Sequence, residues 1–312
     1  MTKIENRKSK IENPFLAFLD LIKFSHTIFA MPFALIATFW ASRAVSEESS
    51  AWPGISKLSL IILCMILART FAMTFNRYID RHIDSANPRT AARPSVIGTI
   101  SPRFMIFTLI ICILLFLAAA AVFNFLHQNP WPLVLAPLAI IWLAAYSFTK
   151  RFTILCHFWL GISLGLAPLG AWIAIAPPAA SLFDPLLLTI LLFGLGVTFW
   201  VAGFDILYAL QDEHVDRTQN LHSIPAALGR RRALLISRFC HVLTIVVFLT
   251  VGIVGNFHLL YFLGLTVAAI TLLIEQLLVS ENDISKINTA FMTANALIGL
   301  TFGTLAIADT LI

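Results

Sequence analysis

The sequence is short of charged residues. Only 12% of its 312 residues are charged, whereas 59% are hydrophobic and 26 are phenylalanine. A water-soluble domain carries about 25% charged residues. Half that charge indicates a chain that lies mostly in lipid, so the composition argues against the soluble classes of protein.

Cysteine is also scarce. The chain has four cysteines, each within an apolar run, and none belongs to a CxxC pair. They are Cys64, Cys112, Cys156 and Cys240. This spacing argues against a disulfide framework and against a zinc site, and we interpret the four as buried apolar thiols.

Long apolar runs make up most of the remaining sequence. A helix needs about 20 apolar residues to cross a bilayer. We predict an all-α integral membrane protein with nine transmembrane helices. The predicted spans are 24–42, 58–75, 104–124, 131–149, 153–176, 186–205, 233–255, 258–278 and 288–309. The first span follows a basic tail, as in a signal peptide, but it is too long for one, so we expect it to be retained.

Positive charges are distributed unevenly among the predicted loops. With the N-terminus in the cytoplasm, 17 of the 21 Lys and Arg residues face that side. Only Arg43 and Lys57 fall in the opposite loops. Cytoplasmic loops are enriched in Lys and Arg. We therefore expect a protein of the cytoplasmic (inner) membrane, with the 1–23 tail in the cytoplasm. The net charge of +5 reflects topology and does not indicate nucleic acid.

Two long connections, 76–103 and 206–232, fall on the cytoplasmic side. We expect a single domain over 1–312, with no required protein partner evident. "DRHID" at 80–84 matches "DEHVD" at 212–216, and each follows an apolar span. Because the second and sixth spans cross in the same direction, a parallel repeat would place both stretches on one side. We predict two pseudo-repeats around a central cavity.

Each of these stretches carries oxygen-bearing side chains at helical spacing. "NRYIDRHID" contains Asn76, Asp80 and Asp84, and "DILYALQDEHVD" contains Asp205, Asp212 and Asp216. On a continuous helix each set shares one face. Crowded carboxylates need compensating positive charge, and Mg²⁺ prefers oxygen ligands. The alternative for either stretch alone is helix capping at the water interface. The neighbouring His82 and His214 lie on a different face, so we do not expect them to bind metal.

Cationic and phenolic side chains accompany the acids. Tyr146, Lys150 and Arg151 end the fourth span, and Lys and Tyr at this level suit a diphosphate. Arg89 and Arg93 follow the first acidic stretch. For all of these, the alternative role is anchoring at the cytoplasmic membrane surface, where Lys and Arg are enriched.

Some polar residues lie inside the apolar spans. Arg69 is an intramembrane arginine, which usually faces a cavity or a partner. It would bind an acidic or phenolic co-substrate, or pair with Asp205. We interpret His26, His157 and His241 as hydrogen-bonded packing residues.

These features resemble the UbiA superfamily of intramembrane prenyltransferases. "NRYIDRHID", "DILYALQDEHVD" and "YSFTKRFT" match its two acidic motifs and its Tyr and Lys-Arg ending. Two stretches, "GFDILYALQDEHVD" and "IKFSHTIFAMPFA", are most similar to the 4-hydroxybenzoate polyprenyltransferase group, in particular to its subgroup linked to futalosine-route menaquinone. The resemblance covers essentially the whole chain. One departure is "RPSVIG", where the family loop usually carries a second proline.

The resemblance implies a chemistry and a set of roles. A polyprenyl diphosphate would react with a small phenolic acid in quinone biosynthesis, either 4-hydroxybenzoate or 1,4-dihydroxy-6-naphthoate. Lys150 would assist catalysis, Asp205 or Asp84 would take the ring proton, and the prenyl tail would extend into membrane lipid. Mg²⁺ would be held by Asn76, Asp80, Asp212 and Asp216. The substrates would be bound by Tyr146, Lys150, Arg151, Arg93 and Arg69.

Two other classes of function are open to a chain of this kind. A cation-coupled transporter also has intramembrane acids and a parallel repeat, but here the acids lie at span ends instead of at the membrane midplane. A CDP-alcohol phosphotransferase also uses Mg²⁺ and spaced acids. That family carries Asp-Gly and Ala-Arg pairs ahead of its acids, and this sequence has no Asp-Gly pair.

Overall fold

The computed structural model describes residues 13–23, 27–46, 50–176 and 185–312. Most of the predicted basic tail and His26 lie outside these residues.

Within the described residues all regular structure is helical. In this part of the chain, nine long helices correspond to the nine predicted spans. They are α2 (Thr27–Val45), α3 (Ile55–Ile79), α6 (Pro102–His127), α7 (Trp131–Thr149), α8 (Cys156–Ile175), α9 (Pro185–Ala209), α12 (Arg230–Val254), α13 (Leu259–Leu277) and α14 (Ile287–Leu311). The short helices are α1 (Pro14–Leu21), α4 (Arg81–Ser85), α5 (Pro94–Ile97), α10 (Glu213–Thr218) and α11 (Ile224–Leu228), with a 3₁₀ turn at Leu210–Asp212.

The helix lengths confirm an integral membrane protein. In the described part of the chain, eight helices are long and apolar enough to cross a bilayer, and the apolar segment Met31–Val45 of α2 is a shorter ninth. Large apolar side chains are exposed on the outer faces, for example Phe107 and Leu114 of α6. Because the hydrocarbon core solvates such side chains, these outer faces suit contact with lipid tails.

Aromatic rings fill the centre of the helix bundle. The ring of Phe33 in α2 lies 4.7 Å from that of Trp200 in α9, centroid to centroid. Phe248 of α12 and Phe302 of α14 stack at 5.2 Å. Interlocked rings in a close-packed core leave little room for the helices to shift. They therefore hold α9, which carries Asp205 and leads into the rest of the second acidic stretch, in a defined position.

Small residues bring α8 and α9 close together. A Cβ at Gly161 would lie 2.4 Å from the carbonyl oxygen of Thr198, and one at Gly165 would lie 2.5 Å from that of Gly194. Only glycine permits this backbone approach, which is a common device of helix pairs in membranes. The contact places the start of α8 beside the end of α9.

The same succession of elements occurs twice. After α3 the helix breaks at Asp80, with φ −92° and ψ 9°, and α4 follows. After α9 the chain forms the 3₁₀ turn ending at Asp212, with φ −101° and ψ 0°, and α10 follows. A proline-containing short helix then leads to Gly98 or Gly229, whose φ angles are 82° and 79°. The acids therefore do not form stripes on continuous helices, as the spacing had indicated, because each helix ends at its motif.

The segments after the two breaks meet. The side chain of Gln219 donates to the carbonyl oxygen of Ile83 over 3.3 Å, and Asn87 bonds to Asp212. Helices α3 and α9 therefore end on the same side of the bundle, as the predicted parallel repeat requires. The two acidic stretches lie side by side there.

Candidate active site

A cavity of about 740 Å³ opens beneath the two acidic stretches. Its walls come mainly from α3, α7, α8 and α9. The inner part is lined mostly by apolar residues, including Phe116, Leu135, Trp142, Leu160, Leu164 and Ala171. Its mouth is lined by charged and amide side chains: Asn76, Asp80, Asp84, Asn87, Arg89, Arg93, Lys150, Asp205, Asp212 and Asp216. Such a cavity suits a molecule with one anionic end and one apolar end.

Asn76 and Asp80 are joined at the end of α3. The Asn76 amide donates to Asp80 Oδ2 over 2.8 Å, and Arg77 donates to Asn76 Oδ1 over 2.9 Å. Arg151 pairs with the other oxygen of Asp80, with 2.7 Å between Nη2 and Oδ1. This pair links α3 to the end of α7 and neutralises the Asp80 carboxylate.

Asp84 lies within the short helix α4 and is buried. Arg93 Nη1 lies 2.6 Å from Asp84 Oδ1. Asp84 Oδ2 is buried with no hydrogen-bond partner in the described structure. An unpartnered buried carboxylate oxygen is costly, so this atom is suited to accept a bond from a ligand.

Asp212 joins the two halves of the mouth. Arg89 donates to both of its oxygens, from Nε to Oδ1 over 2.8 Å and from Nη2 to Oδ2, and Asn87 donates to Oδ1 over 2.8 Å. Arg89 also donates to the Tyr208 hydroxyl over 3.1 Å. Burial lowers the pKa of Arg89, but its bonds to Asp212 outweigh that effect and raise the pKa above the ordinary value. The guanidinium is therefore charged, and it holds the first connection against the second.

Asp216 is fixed by the loop that follows it. The Ser223 hydroxyl donates to Asp216 Oδ2 over 2.8 Å. The backbone N–H of His222 donates to the carbonyl oxygen of Lys150. This loop therefore ties Asp216 to the end of α7, where the Lys150 side chain lines the same cavity mouth.

Asp205 lies deeper in the cavity and pairs with His157. The distance from His157 Nδ1 to Asp205 Oδ2 is 2.7 Å, and the Ile224 N–H donates to His157 Nε2 over 3.3 Å. Tyr146 also lines this part of the cavity. Asp205 is thus held at the boundary between the charged mouth and the apolar interior.

Arg69 and Trp142 line the apolar part. Arg69 Nε is buried and has no hydrogen-bond partner among the described residues. Trp142 stacks on Trp159 with ring centroids 4.2 Å apart, and its indole N–H donates to Ser163 over 3.0 Å. The apolar part of the cavity therefore combines a buried guanidinium nitrogen that lacks a partner in the described structure with a wall of stacked aromatic rings.

The side chains at the cavity mouth differ in arrangement, but not in chemistry, from a set of Mg²⁺ ligands. In the described residues, no three His, Cys, Asp or Glu side chains are close enough together to hold a metal ion as they stand. Asp80, Asp84 and Asp212 are each turned toward an arginine instead. The available ligands are nevertheless all oxygens, and Mg²⁺ commonly uses one or two carboxylates together with substrate phosphates. The chemistry fits Mg²⁺ if the carboxylates exchange arginine for metal.

The structure brings together most of the residues predicted for the site. Asn76, Asp80, Asp84, Arg69, Arg93, Tyr146, Lys150, Asp205, Asp212 and Asp216 all line the cavity. Arg151 is absent from the lining and reaches the site only through its pair with Asp80. His82 and His214 are exposed and are not part of the lining.

Three further residues of the site were missed or misjudged from sequence. Asn87 precedes a proline, and this Asn-Pro pair predicts a turn but not a bond to Asp212. His157 was interpreted as a packing residue, and Ser223 carried no recognisable signal. Their partners lie far away in the chain, so no local pattern identifies them.

Comparisons with known proteins agree with this geometry. Residues 30–297 match the UbiA prenyltransferase family. The chain is 29% identical over 259 residues to a 4-hydroxybenzoate octaprenyltransferase of Actinobacillus pleuropneumoniae, with 82% of each chain covered. It is 25% identical over 283 residues to the protein of that name from Pasteurella multocida, covering 90% of this chain and 91% of the relative.

Solved structures give the same result for the fold. A UbiA homologue from Aeropyrum pernix K1, in its apo form, superposes with a TM-score of 0.79 at 28% identity, covering 91% of this chain and 98% of that one. A UbiA homologue from Archaeoglobus fulgidus bound to DMAPP and Mg²⁺ gives a TM-score of 0.68 at 19% identity, with 94% and 98% covered, and shows likeness of fold alone. The chain belongs to the UbiA prenyltransferase family.

Proposed function

We propose that this protein transfers a polyprenyl group from a polyprenyl diphosphate to 4-hydroxybenzoate in a Mg²⁺-dependent reaction of quinone biosynthesis. The alternative acceptor is 1,4-dihydroxy-6-naphthoate, in futalosine-route menaquinone biosynthesis. The observation that carries the proposal is the cavity itself, which has paired acids and arginines at its mouth and a mostly apolar interior.

The relatives support the substrate class. Those from A. pleuropneumoniae and P. multocida are named 4-hydroxybenzoate octaprenyltransferases. The A. fulgidus homologue, which is similar in fold, was solved bound to DMAPP and Mg²⁺. By analogy we expect a prenyl diphosphate in this cavity, with its tail in the apolar part or in surrounding lipid.

The charged mouth would bind the diphosphate. Arg93, Lys150 and Arg89 can donate to its oxygens, with Arg151 and Tyr146 as further donors. Mg²⁺, held by Asn76, Asp80, Asp212 and Asp216, would supply positive charge that stabilises the leaving diphosphate. Preorganised cations at this position favour breaking of the allylic C–O bond, whose electron pair leaves with the diphosphate.

The acceptor ring would lie below the diphosphate. Arg69 would bind its carboxylate, which satisfies the buried guanidinium. A ring carbon ortho to the hydroxyl donates its π electrons to the allylic carbon, forming the new C–C bond. Asp205 then takes the ring proton, with Asp84 as the alternative, and the C–H electron pair restores the aromatic ring. The apolar walls exclude the water that would quench the allylic cation.

We place the reaction at the cytoplasmic face of the inner membrane, because the predicted cytoplasmic loops form the cavity mouth. Within this proposal the chain acts as one domain, with no protein partner required.

The test uses membranes that contain the expressed protein. They are incubated with a polyprenyl diphosphate, Mg²⁺ and either acceptor, and the products are identified by mass spectrometry. We expect one prenylated acceptor, formed only with Mg²⁺. If neither acceptor nor any other phenol is prenylated, the proposal fails and a transporter becomes the better hypothesis.

A further inference from the structure

His157 is buried at the start of α8, and both of its ring nitrogens have partners. A backbone N–H can only donate a hydrogen bond. Because the Ile224 N–H points to Nε2, this nitrogen must be the acceptor and carries no proton. In a neutral imidazole the proton is then on Nδ1, where it is donated to Asp205 Oδ2 over 2.7 Å.

The N–H group that donates to His157 Nε2 is itself held in place. Ile224 is the first residue of α11, and Ser223 is its N-cap. The Ser223 hydroxyl accepts from the Ala226 N–H over 3.3 Å and donates to Asp216. The N–H that selects the histidine tautomer is therefore part of the loop that also fixes the second acidic stretch.

The bond to His157 also assigns the two oxygens of Asp205. Oδ2 is occupied by the histidine, and no described residue donates a hydrogen bond to Oδ1. The Asp205 side chain is 23% exposed and lines the cavity. Oδ1 is therefore the oxygen available to a substrate.

We propose that His157 is a positioning residue: its Nδ1–H fixes Asp205 so that Oδ1 accepts the ring proton, and His157 itself relays no proton. This inference rests on the proposed function. A carboxylate suffices as the base, because the proton on the ring carbon that has just formed the new bond is strongly acidic. What the reaction requires is orientation, and an error of about 1 Å in such a contact can cost about 100-fold in rate.

Two variants separate the roles of the two nitrogens. The amide of His157→Asn lies near the position of Nδ1 and can still donate to Asp205. The longer amide of His157→Gln lies near Nε2 and satisfies Ile224 without reaching Asp205. We expect His157→Gln to lower kcat by about 10- to 100-fold. We expect His157→Asn to retain most of the activity, and KM for the prenyl diphosphate to be unchanged in both variants.

The isotope effect of a ring-deuterated acceptor distinguishes positioning from general structural damage. Misplacing Asp205 slows proton removal, so His157→Gln should show a larger primary isotope effect on kcat than wild type, and His157→Asn should not. His241→Asn, which alters another buried histidine, is the matched control and should keep the wild-type isotope effect. Equal isotope effects in wild type and His157→Gln, or a loss of activity in His157→Asn equal to that in His157→Gln, would overturn the proposal.

A measurement that does not depend on catalysis separates this inference from the proposed function. NMR of ¹⁵N-histidine-labelled protein in detergent, with His157 assigned by its loss in His157→Asn, reports the tautomer directly. We expect a neutral ring protonated at Nδ1, with a shifted signal in Asp205→Asn. An Nε2–H ring or an imidazolium would refute the hydrogen-bond assignment whether or not any acceptor is prenylated. Absence of prenylated product beside an Nδ1–H ring would instead count against the proposed function.

Discussion

Arg89 pairs with the carboxylate of Asp212, which Mg²⁺ would need as a ligand. Replacing Arg89 should therefore change the affinity for Mg²⁺. A hydrogen bond to a charged group contributes about 1.5–3 kcal/mol when buried. The side chains of Arg89 and Asp212 are 28% and 17% exposed. Solvent reduces such energies, and fully exposed pairs contribute only about 0–1 kcal/mol. For this partly exposed pair we take about 1–2 kcal/mol, which is about 5- to 30-fold in affinity.

The variant Arg89→Gln removes the guanidinium that pairs with Asp212. Without prenyl diphosphate, this variant should bind Mg²⁺ about 5- to 30-fold more tightly than wild type, because Asp212 no longer has to leave its arginine. With Mg²⁺ present, it should bind prenyl diphosphate more weakly, because one phosphate donor is lost. Isothermal titration in detergent, with an unreactive prenyl thiodiphosphate, measures both affinities. In wild type, Mg²⁺ and the prenyl diphosphate should each strengthen binding of the other, and Arg89→Gln should weaken this coupling. Because coupling between two ligands is reciprocal, the weakening must appear whichever ligand is added first.

A matched control is available outside the cavity. Arg230 Nε lies 2.8 Å from Glu213 Oε2, and neither residue lines the cavity. Arg230→Gln should therefore leave Mg²⁺ affinity unchanged. Exchange of arginine for metal would be refuted if Arg89→Gln bound Mg²⁺ no more tightly than wild type in the absence of diphosphate.

Two further predictions concern activity and stability. Asp80→Ala and Asp212→Ala should each lower prenyl transfer by at least about 100-fold, the scale for removing one preorganised group that stabilises developing charge. Both should still insert into membranes, and full activity in either would contradict its assignment as a metal ligand. Asp309→Ala removes a buried carboxylate that accepts from three backbone N–H groups at the start of α13. It should cost about 2–4 kcal/mol and lower the thermal midpoint in detergent, with kcat of the folded protein kept; an unchanged midpoint would show that this cap is dispensable.

The spans and the position of the site could be predicted from sequence because they depend on local properties. Hydrophobic length identifies each span, and acids at the ends of two spans identify the mouth of the cavity. Helix ends were less accurate. The spacing of Asn76, Asp80 and Asp84 indicated a helix that continues through the motif, whereas α3 ends at Ile79 and the backbone breaks at Asp80.

The pairings within the site could not be predicted. His157 and Asp205 are 48 residues apart, and Arg89 and Asp212 are 123 apart. No periodicity relates positions on different helices, so each such contact depends on how the bundle packs. The sequence shows which charges are present, whereas the packed fold decides which arginine holds which carboxylate.

Each copy of the acidic motif coincides with a helix break, at Asp80 in the first and at Asp212 in the second. On a continuous helix, Asp84 would lie about 6 Å beyond Asp80 along the axis and farther from the cavity. Because α3 ends at Ile79, the chain turns back, so that Arg93 reaches Asp84 and Arg89 reaches Asp212. The second repeat makes the corresponding turn, and the Ser223 loop then reaches Asp216. The motif spacing therefore marks two helix ends that fold over one cavity, and each return is followed by a short proline-containing helix that ends at a glycine with positive φ.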